Sequence, residues 1–198
     1  MLEIFLATKN NGKIEEIKEY LKKSKFKVIS LNDFPNFPTT KEDGKNYKEN
    51  AIKKAIEGFN YTKKVCLADD SGLEIDFLNG EPGLYSSRWG KTDEEKIDKV
   101  LRLMKGVPRD KRCAKFVCVL VLVLPNGKQY IIKEECKGEI SFVPKGKYGF
   151  GYNPIFFVPE YNKTFAELGS EVKNQISHRG KALRKMTKIL EEISMQQL

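Results

Sequence analysis

The chain has 198 residues, 40% of them hydrophobic and 32% charged, which is enough for a substantial core in one domain spanning residues 1–198. Lysine and arginine number 36 against 27 aspartates and glutamates, and the resulting charge of +9 suits phosphate-bearing partners without choosing among nucleotides, nucleic acid and acidic membranes. The single histidine, His178, excludes a histidine-rich metal site, and Cys66, Cys113, Cys118 and Cys136, with no C-x-x-C pair, read as free thiols of a reducing compartment rather than a disulfide or zinc framework.

Residues 2–7 are a short apolar run that stops at Thr8-Lys9-Asn10-Asn11-Gly12-Lys13, after which Ile14, Ile17 and Leu21 recur at helical spacing. The pattern predicts a buried strand, a polar loop and a helix start. No basic segment precedes a long apolar stretch, so this N-terminus does not read as a signal peptide and the expected location is the cytoplasm. Backbone N–H groups at a helix start attract anions, and Thr8, Asn10 and Lys13 would add donors. The loop lacks the Walker A spacing, and taken alone it fits a plain strand-to-helix turn better than an anion site. Residues 26–30 read as a second strand and residues 31–45 as a loop rich in Asn, Pro, Thr and acid. Ile52, Ala55, Ile56 and Phe59 mark one face of a second helix. On it Glu49 and Lys53 read as a solvated i,i+4 pair, while Lys54 lies beside the apolar stripe.

Residues 65–68 form a strand that runs into Asp69-Asp70-Ser71-Gly72, and residues 73–77 resume a strand pattern. Adjacent carboxylates at a strand end suit Mg²⁺, which takes a few carboxylates together with water and phosphate. One of them would accept a proton from an attacking water. The same residues alone also fit an Asx turn. Glu42 and Asp43 would complete a metal site if their loop folds over that strand end. Residues 80–90 form a glycine-bearing connection, and Thr92-Asp93-Glu94-Glu95 is a capping box opening a helix with Ile97, Val100, Leu101 and Met104 on its apolar face. Residues 116–124 are an unbroken apolar run, far short of a membrane span, and read as a central strand. Pro125-Asn126-Gly127 turns the chain so that residues 129–136 return antiparallel.

Residues 146–151 make another glycine loop. In Gly149-Phe150-Gly151-Tyr152-Asn153-Pro154, aromatics alternate with glycines, a pattern that suits laying a ring on a purine or filling a core turn. Residues 155–158 read as a short strand. Ser177 would cap a last helix striped by Ala182, Met186, Ile189 and Ile193. Lys173, His178 and Arg179 crowd its start, as either a site for an anion or carbonyl oxygen or a solvated basic surface. The class is α/β with a mixed sheet.

In this order the motifs resemble the inosine triphosphate pyrophosphatase family, the dITP/XTP pyrophosphatases. They are T-x-N-x-x-K at residues 8–13, E-N-A-x-x-K-A at 49–55, A-D-D-S-G-L at 68–73, P-G-x-Y-S-x-R at 82–88, F-G-Y-x-P at 150–154, T-F-A-E-L at 164–168 and I-S-H-R at 176–179. The resemblance runs over about residues 2–190. It implies a two-lobed α/β fold around an elongated mixed sheet flanked by helices, with the active-site cleft between lobes. It also implies a Mg²⁺ requirement, usually a homodimer, and hydrolysis of dITP, ITP and XTP to monophosphate and pyrophosphate. Asp70 would be the general base and, with Glu42, a metal ligand. Thr8, Asn10, Lys13, Lys54 and Ser71 would contact the nucleotide. Phe150, within Phe150-Gly151-Tyr152-Asn153, would stack on the base, and Lys173, His178 and Arg179 would read its keto edge. The usual motif is F-G-Y-D, and Asn153 replaces a carboxylate that would accept from the protonated N1 of a keto purine. A nucleic-acid-binding module would need basic and aromatic residues interleaved on one face, whereas the sharpest motif here is a pair of acids. The I-S-H-R helix start also argues against a pyrophosphatase for modified pyrimidines. Neither nucleic acid nor membrane is expected as a partner.

Overall fold

Successive side chains of a strand point to opposite faces, and the first strand is apolar on both. In β1 (Leu2–Leu6), Ile4 and Leu6 pack with Ile17 and Leu21 of α1 (Asn11–Leu21), while Phe5 stacks edge-on against Phe34, 5.3 Å between centroids. The coordinates are a computed structural model and describe residues 2–22, 24–34, 36–38 and 40–196. The remaining strands are β2 (Phe26–Ser30), β3 (Val65–Ile75), β4 (Cys113–Val123), β5 (Gln129–Ile140), β6 (Phe156–Val158) and β7 (Lys163–Thr164). They hydrogen-bond in the order β2-β1-β3-β4-β5-β6-β7. β1 runs parallel to β2 and β3, whereas β6 is antiparallel to β5 and β7, so the sheet is mixed.

The chain divides into two units, one of Met1–Asp70, Cys118–Glu134 and Ala182–Leu198, the other of Ser71–Val117 and Glu135–Lys181. The first has a core of Ile4, Leu6, Leu67, Leu120 and Leu122 packed with Ala182, Met186 and Leu190 of α5 (His178–Gln196). Truncating such a side chain to alanine costs about 2–5 kcal/mol. On the other sheet face lies α2 (Tyr47–Thr62), which approaches closely at Gly58: a Cβ there would sit 2.6 Å from Cys66 Sγ and 3.0 Å from Phe5 Cε1. The second unit packs Ile97 and Val100 of α3 (Asp93–Leu103), and the following Met104, with Leu73, Ile75 and Phe116. Arg112, buried, donates to the carbonyls of Met104, Val107, Ile140 and Ser141.

Several expectations change. β3 does not end before the acids but continues from Val65 through Asp69, Asp70 and Ser71 to Ile75, where a 3-10 turn, Asp76–Leu78, stops it. Charge normally breaks a buried strand, but here each carboxylate meets an ammonium, so the ladder persists. Glu49 and Lys53 do not pair with each other. Lys53 Nζ bonds Asp43 at 2.8 Å, and Glu49 accepts from Lys45 N and Asn46 Nδ2, closing the helix start. A short helix, α4 (Ser170–Ile176), precedes α5 and had not been expected. Ser177 does cap α5, its Oγ accepting from Gly180 N at 3.0 Å.

Candidate active site

Because β3 is continuous, Asp69 and Asp70 point to opposite faces. Asp69 shares a face with Val65 and Leu67 and meets Lys13 of α1, Nζ to Oδ1 2.5 Å; Cys118 Sγ donates to its other oxygen at 3.4 Å. Asp70 turns to the α2 face. The adjacent pair therefore cannot close on a single ion. The second carboxylate near Asp70 is Glu42, from the loop before α2: Lys54 Nζ lies 2.8 Å from both Glu42 Oε1 and Asp70 Oδ1. Its third N–H goes to the Asp69 carbonyl, also at 2.8 Å. An ammonium has three donors, so Lys54 is fully engaged by the protein. A phosphate oxygen would reach it only by displacing one of these acceptors.

Asn50 and Lys54 are one helical turn apart and share a face of α2. Asn50 is 2% exposed, accepts from Gly44 N at 2.8 Å and donates to Asp70 Oδ2 at 3.3 Å. It thus ties the Glu42 loop to the acid. Asp70 is 7% exposed, and burial raises its carboxyl above the usual carboxylate range. Lys54 and Lys13 oppose that shift, and Glu42 adds to it. Burial works against the Lys54 ammonium, but Asp70 and Glu42 outweigh it and keep the lysine charged. Asp43, paired with Lys53, stands apart from this group.

The loop ahead of α1 is a capped helix start. Asn10 Oδ1 accepts from Lys13 N at 3.0 Å, and Thr8 Oγ1 accepts from Asn10 N at 3.2 Å. Asn10 and Thr8 hold the loop, and Lys13 leaves it toward β3.

The second unit gathers the other residues. Ser71 Oγ accepts from Arg179 Nη2 at 3.0 Å. The Phe150 ring has Lys173 Nζ 5.5 Å and the Arg179 guanidinium 5.7 Å from its centroid. His178 stacks on Phe116 with centroids 4.7 Å apart. Tyr152 turns inward and donates to the Ser86 carbonyl at 2.9 Å. Asn153 is 4% exposed and its Nδ2 has no hydrogen-bond partner among the described residues. Gly149, at φ +82°, is needed beside it: a Cβ there would collide with Asn153 Nδ2 and lie 3.3 Å from Lys173 Nζ. Gly151, at φ +63°, donates its N–H to Asp93 Oδ2 at 2.6 Å.

Three functional contacts escaped the sequence reading: Asn50 on Asp70, Asp69 on Lys13, and Asp93 on Gly151. Only the first had a local signal, the i,i+4 spacing of Asn50 and Lys54.

Residues 4–189 match the Ham1 family. The chain is 47% identical over 199 residues to the dITP/XTP pyrophosphatase of Desulforamulus reducens, covering 99% of each. Among solved structures it is similar to a HAM1 protein from Coxiella burnetii, with a TM-score of 0.85 and 44% identity over 97% of this chain and 100% of that one. The Staphylococcus aureus Ham1 protein gives 0.83 and 39% over 96% and 98%.

Proposed function

The chain belongs to the Ham1 family, and we propose that it shares the activity of its dITP/XTP pyrophosphatase relatives: it hydrolyses ITP, dITP and XTP to the nucleoside monophosphate and pyrophosphate, removing them from the nucleotide pool. The observation that carries this is the buried Asp70, bonded by Asn50 and by Lys54, 20 and 16 residues earlier in the chain, with Lys54 also holding Glu42. A carboxylate raised by burial is a stronger base, and Asp70 accepts the proton of the attacking water. The water oxygen bonds to phosphorus as the bridging P–O bond between the α- and β-phosphates breaks, and its electron pair leaves with pyrophosphate.

Glu42 and Asp70 already converge on one cation, the Lys54 ammonium, and among the described residues no group of three His, Cys, Asp or Glu gathers. Two carboxylates, with phosphate and water completing the shell, match the habit of Mg²⁺. Bound there, Mg²⁺ would neutralise phosphate charge and orient the triphosphate. Lys13, beside Asp69, supplies a further positive charge for the phosphates.

Phe150 stacks on the base, and Lys173 and Arg179 present donors to a keto oxygen. Adenine offers an amino group at that position. A buried donor left facing it costs about 1–3 kcal/mol, which is selectivity against ATP. The family resemblance implies a homodimer, and the sequence reading of the N-terminus suggests the cytoplasm; among the described residues no helix is long and apolar enough to cross a membrane.

Pyrophosphate release across ITP, dITP, XTP, GTP, ATP and dUTP, with Mg²⁺ and with chelator, tests the proposal. Fast turnover of the first three, weak turnover of ATP and loss on chelation are expected. Equal turnover of ATP, or turnover of dUTP alone, would reject it.

A further inference from the structure

Helix α3 begins with an acidic turn whose members do different things. Thr92 Oγ1 accepts from Glu95 N at 3.2 Å, and Glu95 Oε2 accepts from Lys91 N at 2.7 Å. The helix start is therefore capped without Asp93. The Asp93 carboxylate instead reaches across the unit to the glycine loop, accepting from Gly151 N at 2.6 Å through one oxygen while the other pairs with Lys96 Nζ at 2.9 Å. Burial opposes its charge, but Gly151 N–H and Lys96 prevail and hold its carboxyl below the ordinary range.

The N–H of Gly151 lies in the planar peptide unit that carries the Phe150 carbonyl. Fixing that N–H fixes the plane leaving Phe150. The next residue is anchored separately, by the Tyr152 hydroxyl on the Ser86 carbonyl, and Ser86 Oγ in turn accepts from Leu73 N at 2.9 Å. Gly151 sits at φ +63°, a conformation that glycine tolerates and that confers no rigidity of its own. Without an acceptor for its N–H, the peptide beside Phe150 would lose its fixed orientation.

We propose that Asp93 is a positioning residue, acting through the Gly151 N–H to hold the Phe150 ring where Lys173 and Arg179 can read the base. This rests on Phe150 being the base-stacking ring of the activity proposed above. A charge-assisted bond to a backbone donor is among the stronger kind, so its loss should be read in binding rather than in the chemical step.

The test compares Asp93→Ala and Asp93→Asn with the wild-type chain, measuring kcat and KM for ITP and ATP and amide hydrogen exchange across residues 149–153. For Asp93→Ala, KM for ITP should rise about tenfold with kcat within about twofold. The ITP:ATP ratio of kcat/KM should fall by about the same factor, and the loop amides should exchange faster. Asp93→Asn, which keeps an acceptor oxygen, should recover most of each effect. An alanine variant with unchanged KM, ratio and exchange would overturn the proposal, as would a uniform fall in kcat on both nucleotides with the loop still protected. A wild-type chain that released no pyrophosphate from ITP would defeat the functional reading instead, and the exchange comparison would still decide whether Asp93 holds the loop.

Discussion

The acid cluster around Asp70 and the cation-bearing loop around Phe150 solve opposite problems. In the first, Glu42, Asp69 and Asp70 face Lys13 and Lys54, leaving one negative charge in excess among these five. Every bond is made between side chains or to the backbone of the same unit, so the group stands on its own until a cation or phosphate exchanges into it. In the second, Lys173 and Arg179 flank an aromatic ring, and Asn153 keeps an unpartnered amide nitrogen in the interior. Strand β3 supplies both, giving Asp70 to one and Ser71 to the other. Under the proposed function, chemistry would sit on the first cluster and base selection on the second.

Substitutions can break this division, and the largest effect belongs to Asp70, the proposed base. Asp70→Asn should lower kcat about 10³-fold or more and also lower the melting temperature, because an amide has one acceptor oxygen where Lys54 and Asn50 both donate. A pyrophosphate-release assay beside a thermal melt checks it. Lys54→Met should act on stability as much as on rate. It strands Asp70 and Glu42 without their shared cation, at a cost of about 3 kcal/mol in denaturant unfolding. An unfolding midpoint equal to wild type would deny the lysine its bridging role. On the other side, Asn153→Asp should raise the ITP:ATP ratio of kcat/KM about three- to tenfold, since a carboxylate accepts from the N1–H of hypoxanthine and repels the bare N1 of adenine. An unchanged ratio would remove Asn153 from base reading.

The smallest effect is one of pH. The Asp93 carboxyl lies below its ordinary value of 3.8, so its stabilising contribution is fully present above that value and is lost only as pH falls through the lower, folded-state value. The difference in melting temperature between wild type and Asp93→Asn should stay constant from neutral pH down to about pH 5 and shrink below about pH 4. A difference that grows on acidification would have the wrong sign for a depressed carboxylate.

Much of this was legible in the sequence where structure follows local period. The apolar runs of β1 and β4 and the stripe of α2 each report burial within a few residues. The path of β3 was not. Its two aspartates look like a strand end because a local window cannot see Lys13 and Lys54, which come from two different helices and make burial of the acids tolerable. Helix α4 was missed because seven residues barely repeat a helical period. The roles of Asp69 and Asp93 were invisible for the reason that hid β3: each carboxylate finds its partner far along the chain, and helix-capping rules account for an acidic first turn without needing that partner.

The saturated ammonium of Lys54 has one more consequence. A counter-ion built into the polypeptide lets Asp70 go into the interior during folding, with Glu42 at its edge, without waiting for an ion from solution. Under the Mg²⁺ dependence proposed above, a chelator should abolish turnover while leaving the unfolding curve in place.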